Sequence, residues 1–310
     1  MTFSNIFSFL CSVHRTFALY SYRIFKRLYS KFFRHPRILF GETVLITGGG
    51  SGIGKLLTKK LVETYHCRVV IWDIDFESAV KTSQEINPNY VIPYQVDVSN
   101  RHEVYKTAEK VKREVGNVTI LINNAGIVPE YPFLHPFSSD VNQINTIHVN
   151  LLGYMWTVNA FLPSMMRKRK GHLVTIGSAA GMIGSKSLAE YCASKSGCIG
   201  FHESVQAELY SSGLQNHVYT TLINPYFIDT GMFNGIKTKH EHFLPILQPD
   251  YVVDKIIDAI LYKKEVVNMP YFINFIPLFK FLLSPSIYFI IMDFFGIHDS
   301  MKTFEKIRKK

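Results

Sequence analysis

Residues 43–54 read TVLITGGGSGIG, a short β-branched apolar run that ends in glycines and gives way to a helical pattern. Few stretches of this length leave a chain so little choice. Gly48, Gly52 and Gly54 allow a tight turn out of a strand and a close approach of backbone to a ligand. A helix that starts in such a turn aims its unpaired N–H groups, those around Ser51, Gly52 and Ile53, and its positive dipole end at one point. The group that suits such a point is a pyrophosphate. A glycine-rich match carries weight only with a strand before it and a helix after it, and the pattern here supplies both.

The alternation then repeats. Short β-rich runs at 43–47, 68–72, 90–95, 118–122, 172–177 and 217–223 alternate with helical patterns around 52–65, 76–86, 100–115, 138–169, 188–212 and 249–262. Strands that are apolar throughout are buried on both faces, and the helices between them are the crossovers of a parallel sheet. No internal repeat or linker interrupts 43–262. The expected fold class is α/β: a single doubly wound Rossmann domain with a parallel sheet over 41–265. Apolar, membrane-associating segments are expected on either side of it, at 1–40 and 266–310.

Composition decides how those ends are read. Charged residues make up 19% and apolar residues 47% of the 310, which excludes a disordered chain. The four cysteines (Cys11, Cys67, Cys192 and Cys198) form no CxxC pair or finger spacing, so neither a disulfide scaffold nor a zinc fold is expected. His240 and His242 lack the i,i+4 spacing of helical ligands, and no metal site is expected. The net charge of +10 is concentrated at the ends: residues 1–40 hold seven Lys or Arg and no acid, and 302–310 hold five against Glu305. Nucleic-acid readers carry their basic surface on the folded module, whereas here the middle is close to neutral, so no nucleic-acid partner is expected. Basic segments laced with aromatics suit an anionic membrane surface. The charge-free run 1–14 is shorter than the ~20 residues of a spanning helix, and no secretory signal pattern is visible. Residues 266–292 carry a single charge, Lys280, but Pro270, Pro277 and Pro285 break any continuous helix. A shallow membrane-dipping segment and a greasy flap over a substrate mouth both fit them.

The chemistry lies between these ends. Asp73 closes the second strand, where a carboxylate accepts hydrogen bonds from ribose hydroxyls and repels a 2′-phosphate. Ser51 stands where a basic residue would meet that phosphate, so NAD is expected over NADP. Asp97, followed by Val98, comes after the third strand. It is either an acceptor for the adenine amino group or a helix N-terminal acid. In AEYCASKSG, Tyr191 and Lys195 are four residues apart on one helix face. An ammonium near a phenol favours the phenolate, which gives Tyr191 an acid–base role near neutral pH. Ser178, in VTIGSAAG, offers its hydroxyl at the carboxyl edge of the fifth strand. Met182, Ile183, Leu188, Tyr226, Met232 and Phe233 are expected as an apolar wall, and Cys192 reads as packing.

With TGGGSGIG, Asp97, NNAG at 123–126, Asn150, Ser178 and YCASK in this order, residues 40–265 resemble the short-chain dehydrogenase/reductase family. The resemblance implies that Tyr191 is the general acid–base and that Lys195 lowers its pKa and binds the nicotinamide ribose. It also implies that Ser178 holds the substrate oxygen and Asn150 positions a proton-relay water. Asn123 would support the central strand. Asn124, Ala125, Gly126, Pro225, Ile228 and Thr230 would line the cofactor site. One departure is Asn224-Pro225-Tyr226, where the family usually has Pro-Gly, and Tyr226 there narrows the nicotinamide pocket or reshapes the loop. IWDID at 71–75, IDTGMF at 228–233 and MDFFGIHDSM at 292–301 look like the membrane-bound retinol dehydrogenase and type 11 17-beta-hydroxysteroid dehydrogenase group. That likeness implies an NAD-dependent oxidoreductase interconverting a lipophilic alcohol, retinol first of all, and its carbonyl. A hydroxysteroid is the nearer alternative substrate. A non-catalytic lipid-droplet or membrane scaffold is the more distant reading. The expected place is the endoplasmic-reticulum membrane or a lipid droplet, with the catalytic domain facing the cytosol and a homodimer left open.

Overall fold

The computed structural model describes residues 8, 11–18, 21–22 and 35–304, which fall into two compact units, Met1–Arg37 and Ile38–Lys310. In the first unit, residues 11–18 and 21–22 are helical and exposed. Residues 1–7, 9–10, 19–20 and 23–34 of the expected basic segment lie outside the described residues.

The second unit holds strands β1 (Thr43–Thr47), β2 (Arg68–Asp73), β3 (Val91–Gln95), β4 (Ile120–Asn123), β5 (Gly171–Ile176), β6 (Val218–Pro225) and β7 (Val266–Met269). They form one sheet in the order β3-β2-β1-β4-β5-β6-β7, with every neighbouring pair parallel. The order reverses between β1 and β4, and an open sheet of this kind takes its ligand at the carboxyl ends of the strands beside that reversal.

Helices α1 (Gly52–Glu63), α2 (Phe76–Ile86), α3 (Arg101–Glu114), α4 (Asp140–Ile147), α5 (Gly153–Arg167), α6 (Ala189–Ser211) and α7 (Pro249–Leu261) are the crossovers. Successive side chains of a strand point to opposite faces, so β1 feeds two cores. Val44 and Ile46 pack with Leu57 and Leu61 of α1 and Ile256 of α7. Leu45 joins Trp72, Leu121 and Leu173 under α3, α5 and α6, with the Trp72 and Phe161 rings 5.6 Å apart. Local chemistry starts the helices where the sequence says they start. Asn100 accepts the N–H groups of His102 and Glu103 ahead of α3, and Pro249 fills the first turn of α7.

Two stretches differ from expectation. The helix expected over 138–169 is three pieces, α4, a π-helical turn over His148–Leu152, and α5. A Cβ at Gly153 would sit 2.9 Å from the Val98 carbonyl, so the chain after β3 presses on the start of α5. The sheet also continues past residue 265: β7 pairs with β6 from Leu222↔Val266 to Pro225↔Met269. A four-residue strand that runs straight into more apolar sequence has no periodicity of its own to reveal it. Beyond it lie α8 (Ile276–Leu282) and α9 (Pro285–Phe294), each with its proline in the first turn, where the missing N–H costs nothing. Ile273, Ile276, Tyr288, Met292, Ile297, Met301 and Phe304 are buried, so the C-terminal stretch is packed onto the domain. Among the described residues no helix is long and apolar enough to cross a membrane.

Candidate active site

A cavity of about 540 Å³ opens at the carboxyl edge of the sheet, and the ends of β1, β2, β4, β5 and β6 all contribute to its wall. Of the expected catalytic and cofactor residues, Gly54, Asn123 and Asn150 stand outside that wall and the others line it. The volume is in the range of small-molecule and cofactor sites.

At one end lies the glycine turn. Gly48 and Gly52 have φ of +65° and +50°, the left-handed region that side-chain-bearing residues avoid. A Cβ on Gly54 would stand 1.9 Å from the Gly48 carbonyl oxygen, so residue 54 closes the turn against itself. A Cβ on Gly52 would meet nothing within 4 Å, and this residue faces the cavity. No side chain caps the N-terminus of α1. The turn is thus a cradle with helix N–H donors at its floor, and the residues present fit the pyrophosphate of a dinucleotide.

Sequence reasoning missed what holds this turn. The Thr47 hydroxyl accepts the N–H groups of Asn124 and Ala125, each at 3.0 Å. The Asn124 amide donates to the carbonyls of Thr47 and Gly48 at 3.0 and 3.1 Å. These bonds fasten the ends of β1 and β4 together at the reversal point. The only signal for Thr47 was its place just before the first glycine.

Two acids bound the same end. Asp73 accepts the N–H of Gly50 at 2.9 Å and that of Asp75 at 3.1 Å. Asp97 lines the cavity, while its Oδ1 accepts both the N–H and the hydroxyl of Ser99 at 2.8 and 2.6 Å. One of its oxygens is therefore used by the turn before α3, whose cap is Asn100.

At the other end, Ser178 and Tyr191 meet. The Ser178 hydroxyl acts on the Tyr191 phenol as a hydrogen-bonding neighbour that favours the phenolate, and Ser178 Oγ accepts the N–H of Ala180 at 3.1 Å, which fixes its rotamer. Lys195 donates from Nζ to the Ile176 carbonyl at 2.9 Å and lies 5.3 Å from the ring centre of Tyr154 and 5.8 Å from that of Tyr191. The sequence led to the expectation that Lys195 lowers the pKa of Tyr191. In the structure burial dominates both groups: it pushes the Tyr191 phenol above its ordinary value, against the downward pull of the Ser178 bond, and it pushes Lys195 down.

Asn150 sits in the π-helical turn and is fully buried. Its amide exchanges two hydrogen bonds with the backbone of Ile127, at 2.8 and 2.9 Å, and donates to Ser194 Oγ at 3.1 Å. Cys198 Sγ donates to its carbonyl. Asn150 thereby ties the loop after β4 to the helix that carries Tyr191 and Lys195. Asn123, equally buried, accepts the hydroxyl of Thr157 at 2.7 Å and braces β4 against α5.

The apolar wall is present with one correction. Ile183, Leu188, Tyr226, Met232 and Phe233 line the cavity. Met182 does not. It follows the tight 3-10 turn Ala179–Gly181, which turns it outward into a neighbouring groove with Ile199, Pro277 and Phe281. Val128, Phe227 and Ile297 complete the wall. Ile297 lies in the C-terminal stretch, which the sequence had left as either a membrane segment or a flap. The Phe233 ring stands edge-on to Tyr191 at 6.0 Å and packs at 6.2 Å on Phe304.

This union of a doubly wound parallel sheet with a glycine turn and a Ser–Tyr–Lys set at its carboxyl edge is the arrangement of an α/β dehydrogenase. The chain belongs to the short chain dehydrogenase family, whose pattern matches residues 42–241. It is 42% identical to epidermal retinol dehydrogenase 2 of Mus musculus over 87% of each chain. It is 34% identical to retinol dehydrogenase 10 of Homo sapiens, over 87% of this chain and 86% of that one. Among solved structures, a short chain dehydrogenase/reductase from Burkholderia phymatum in complex with NAD shares the fold. Its TM-score is 0.69 at 24% identity, covering 78% of this chain and 94% of that one.

Proposed function

We propose that the chain is an NAD-dependent dehydrogenase that interconverts a lipophilic alcohol, retinol first of all, and its carbonyl. The observation that carries this reading is the shape of the one cavity, with a pyrophosphate cradle and Asp73 at one end and the Ser178–Tyr191 pair under an apolar wall at the other. Relatives that are named retinol dehydrogenases support the substrate class.

A nicotinamide cofactor held in this cavity would supply the chemistry of hydride exchange with the carbinol carbon. The chain's own residues do the rest. The glycine turn and the start of α1 hold the pyrophosphate, and Asp73 accepts from the adenosine ribose. Ser178 holds the substrate oxygen against Tyr191, whose phenolic oxygen takes the hydroxyl proton during oxidation and returns it during reduction. Lys195, fixed by the Ile176 carbonyl, stabilises the charge that develops on Tyr191 and holds the nicotinamide ribose. Asn150 keeps the loop after β4 and the catalytic helix in register. Ile183, Leu188, Tyr226 and Phe233 exclude water around the reacting carbon, as hydride transfer requires.

The proposal includes association of the basic 1–40 segment with an endoplasmic-reticulum membrane or a lipid droplet, where a lipophilic alcohol concentrates. The test is a panel of retinol, hydroxysteroids and short alcohols with NAD and with NADP on detergent-solubilised protein, read by absorbance of the reduced cofactor. Retinol turnover with NAD is the expected result. Turnover confined to a hydroxysteroid moves the substrate assignment, and absence of turnover with every alcohol refutes the reading.

A further inference from the structure

Lys195 is an ammonium buried without an acid. It is 3% exposed, and among the described residues no carboxylate forms an ion pair with it. The titratable groups against it are Tyr191 and Cys198 on its own helix and Tyr154 on α5. Burial raises the pKa of all three, which keeps them uncharged at neutral pH. The loop after β4 approaches through Gly126, where a Cβ would stand 3.7 Å from Nζ. A charge in such a place is costly unless other groups take over the part of water. The Ile176 carbonyl accepts one of its three N–H bonds at 2.9 Å. What remains around it is aromatic. Nζ lies over two rings, 5.3 Å from the centre of Tyr154 and 5.8 Å from that of Tyr191. A ring face attracts a cation within about 6 Å of its centre, most strongly where water is excluded.

We propose that Tyr154 is a positioning residue, whose ring face keeps Lys195 charged and aimed at the nicotinamide ribose and Tyr191. The inference rests on the dehydrogenase reading above. Of the two rings, Tyr191 is the reacting one, and Tyr154 is held still. Tyr154 is 1% exposed, and its hydroxyl donates to the same Ile176 carbonyl at 3.2 Å. Its own carbonyl accepts the Thr157 hydroxyl at 2.9 Å and the Asn123 amide at 3.4 Å. Bonds to β4, β5 and α5 therefore stop the ring from swinging away. The hydroxyl anchors the ring, and the ring face stabilises the ammonium. Burial already lowers the Lys195 pKa, and a lysine loses its charge as pH rises. Deprived of the ring, Lys195 gives up its proton at a lower pH.

The test compares Tyr154→Leu, which removes the ring, with Tyr154→Phe, which removes only the hydroxyl. The affinity of the full chain for NADH is followed by fluorescence titration from pH 6 to 10. Because Lys195 holds the ribose, affinity should fall on the basic side. In Tyr154→Leu that fall should come at least one pH unit earlier than in the unmodified protein. In Tyr154→Phe it should stay within 0.3 unit, whatever constant offset the substitution brings. Equal displacement in both variants, or none in Tyr154→Leu, overturns the proposal. If Tyr154→Leu does not fold, phenylalanines carrying one, two and three ring fluorines are placed at position 154 instead. Fluorine withdraws electrons from the ring face and keeps its shape, so the fall should move to lower pH with each one added. A profile that ignores the fluorines overturns the proposal. The same displacement should appear in kcat for alcohol oxidation, with KM for the alcohol changing less than twofold. A chain whose NADH profile moves as expected but which oxidises no alcohol refutes the dehydrogenase reading and leaves the role of Tyr154 standing. A chain that binds no NADH overturns both.

Discussion

Asp73 accepts the backbone N–H of Gly50 at 2.9 Å, so the acid that ends β2 and the glycine turn that ends β1 form one piece. The N–H of Asp75 holds its other oxygen. Backbone alone therefore places the carboxylate, and its charge is directed at the rim of the cavity rather than spent on a side-chain cation.

That placement predicts cofactor choice. Asp73→Ser combined with Ile74→Arg, at an exposed position on the same rim, should raise the NADP-to-NAD ratio of kcat/KM at least tenfold. Loss of the Gly50 bond should weaken both cofactors somewhat. Steady-state kinetics with each cofactor measure the ratio, and an unmodified protein that already prefers NADP would show that Asp73 has been misassigned.

Tyr191→Phe keeps the ring against Phe233 and removes only the hydroxyl. Turnover should fall by the ~10²–10⁴ typical of a positioned proton-transfer group, with cofactor affinity by fluorescence titration unchanged. Near-normal turnover would remove Tyr191 from the mechanism.

The pH profile follows from burial. The Tyr191 phenol is pushed above its ordinary value, so the neutral form dominates through the physiological range. Oxidation needs the phenolate and should speed up steadily from neutral into basic pH. Reduction needs the phenol and should stay flat over the same range. Ser178→Ala removes the bond that pulls this pKa down, so its oxidation profile should move further toward basic pH. An oxidation rate already at its plateau at neutral pH would contradict this account.

Much of this was legible in the sequence, for physical reasons that can be located. β1 and β2 read clearly because strands buried on both faces have apolar centres, VLI and VVIW, and Gly48 and Gly52 read clearly because glycine adopts their positive φ without strain. Tyr191 and Lys195 could be paired because helical spacing fixes a shared face. What escaped notice depends on contacts between distant segments. Thr47 matters through the N–H groups of Asn124 and Ala125, some 77 and 78 residues away, and no local pattern announces such a bond. β7 was hidden because an apolar run looks alike whether it pairs with β6 or lies against lipid. Ile297 joins the cavity wall only because α8 and α9 bring the chain back over it. The burial that raises the Tyr191 pKa was likewise hidden, because helical spacing reveals a neighbouring charge but not depth.

His202 gives a prediction about stability. It lies on α6 with Nδ1 2.9 Å from Thr175 Oγ1 on β5, and its Nε2 is buried without a hydrogen-bond partner. Burial lowers its pKa from 6.5 to about 4, because a charged imidazolium there would have no water around it. The unfolded chain binds this proton more readily than the folded one, so stability is intact above about pH 6.5 and is lost as pH falls toward 4. A shift of that size corresponds to roughly 3 kcal/mol, developing with a slope near 1.4 kcal/mol per pH unit between those limits. His202→Gln removes the titration while keeping a polar group for Thr175. Urea unfolding at pH 7.5, 6 and 5 should show the unmodified protein losing stability faster than the variant as pH drops, whatever constant offset the substitution introduces. Parallel stability curves for the two proteins across that range would mean that His202 is not the group that titrates.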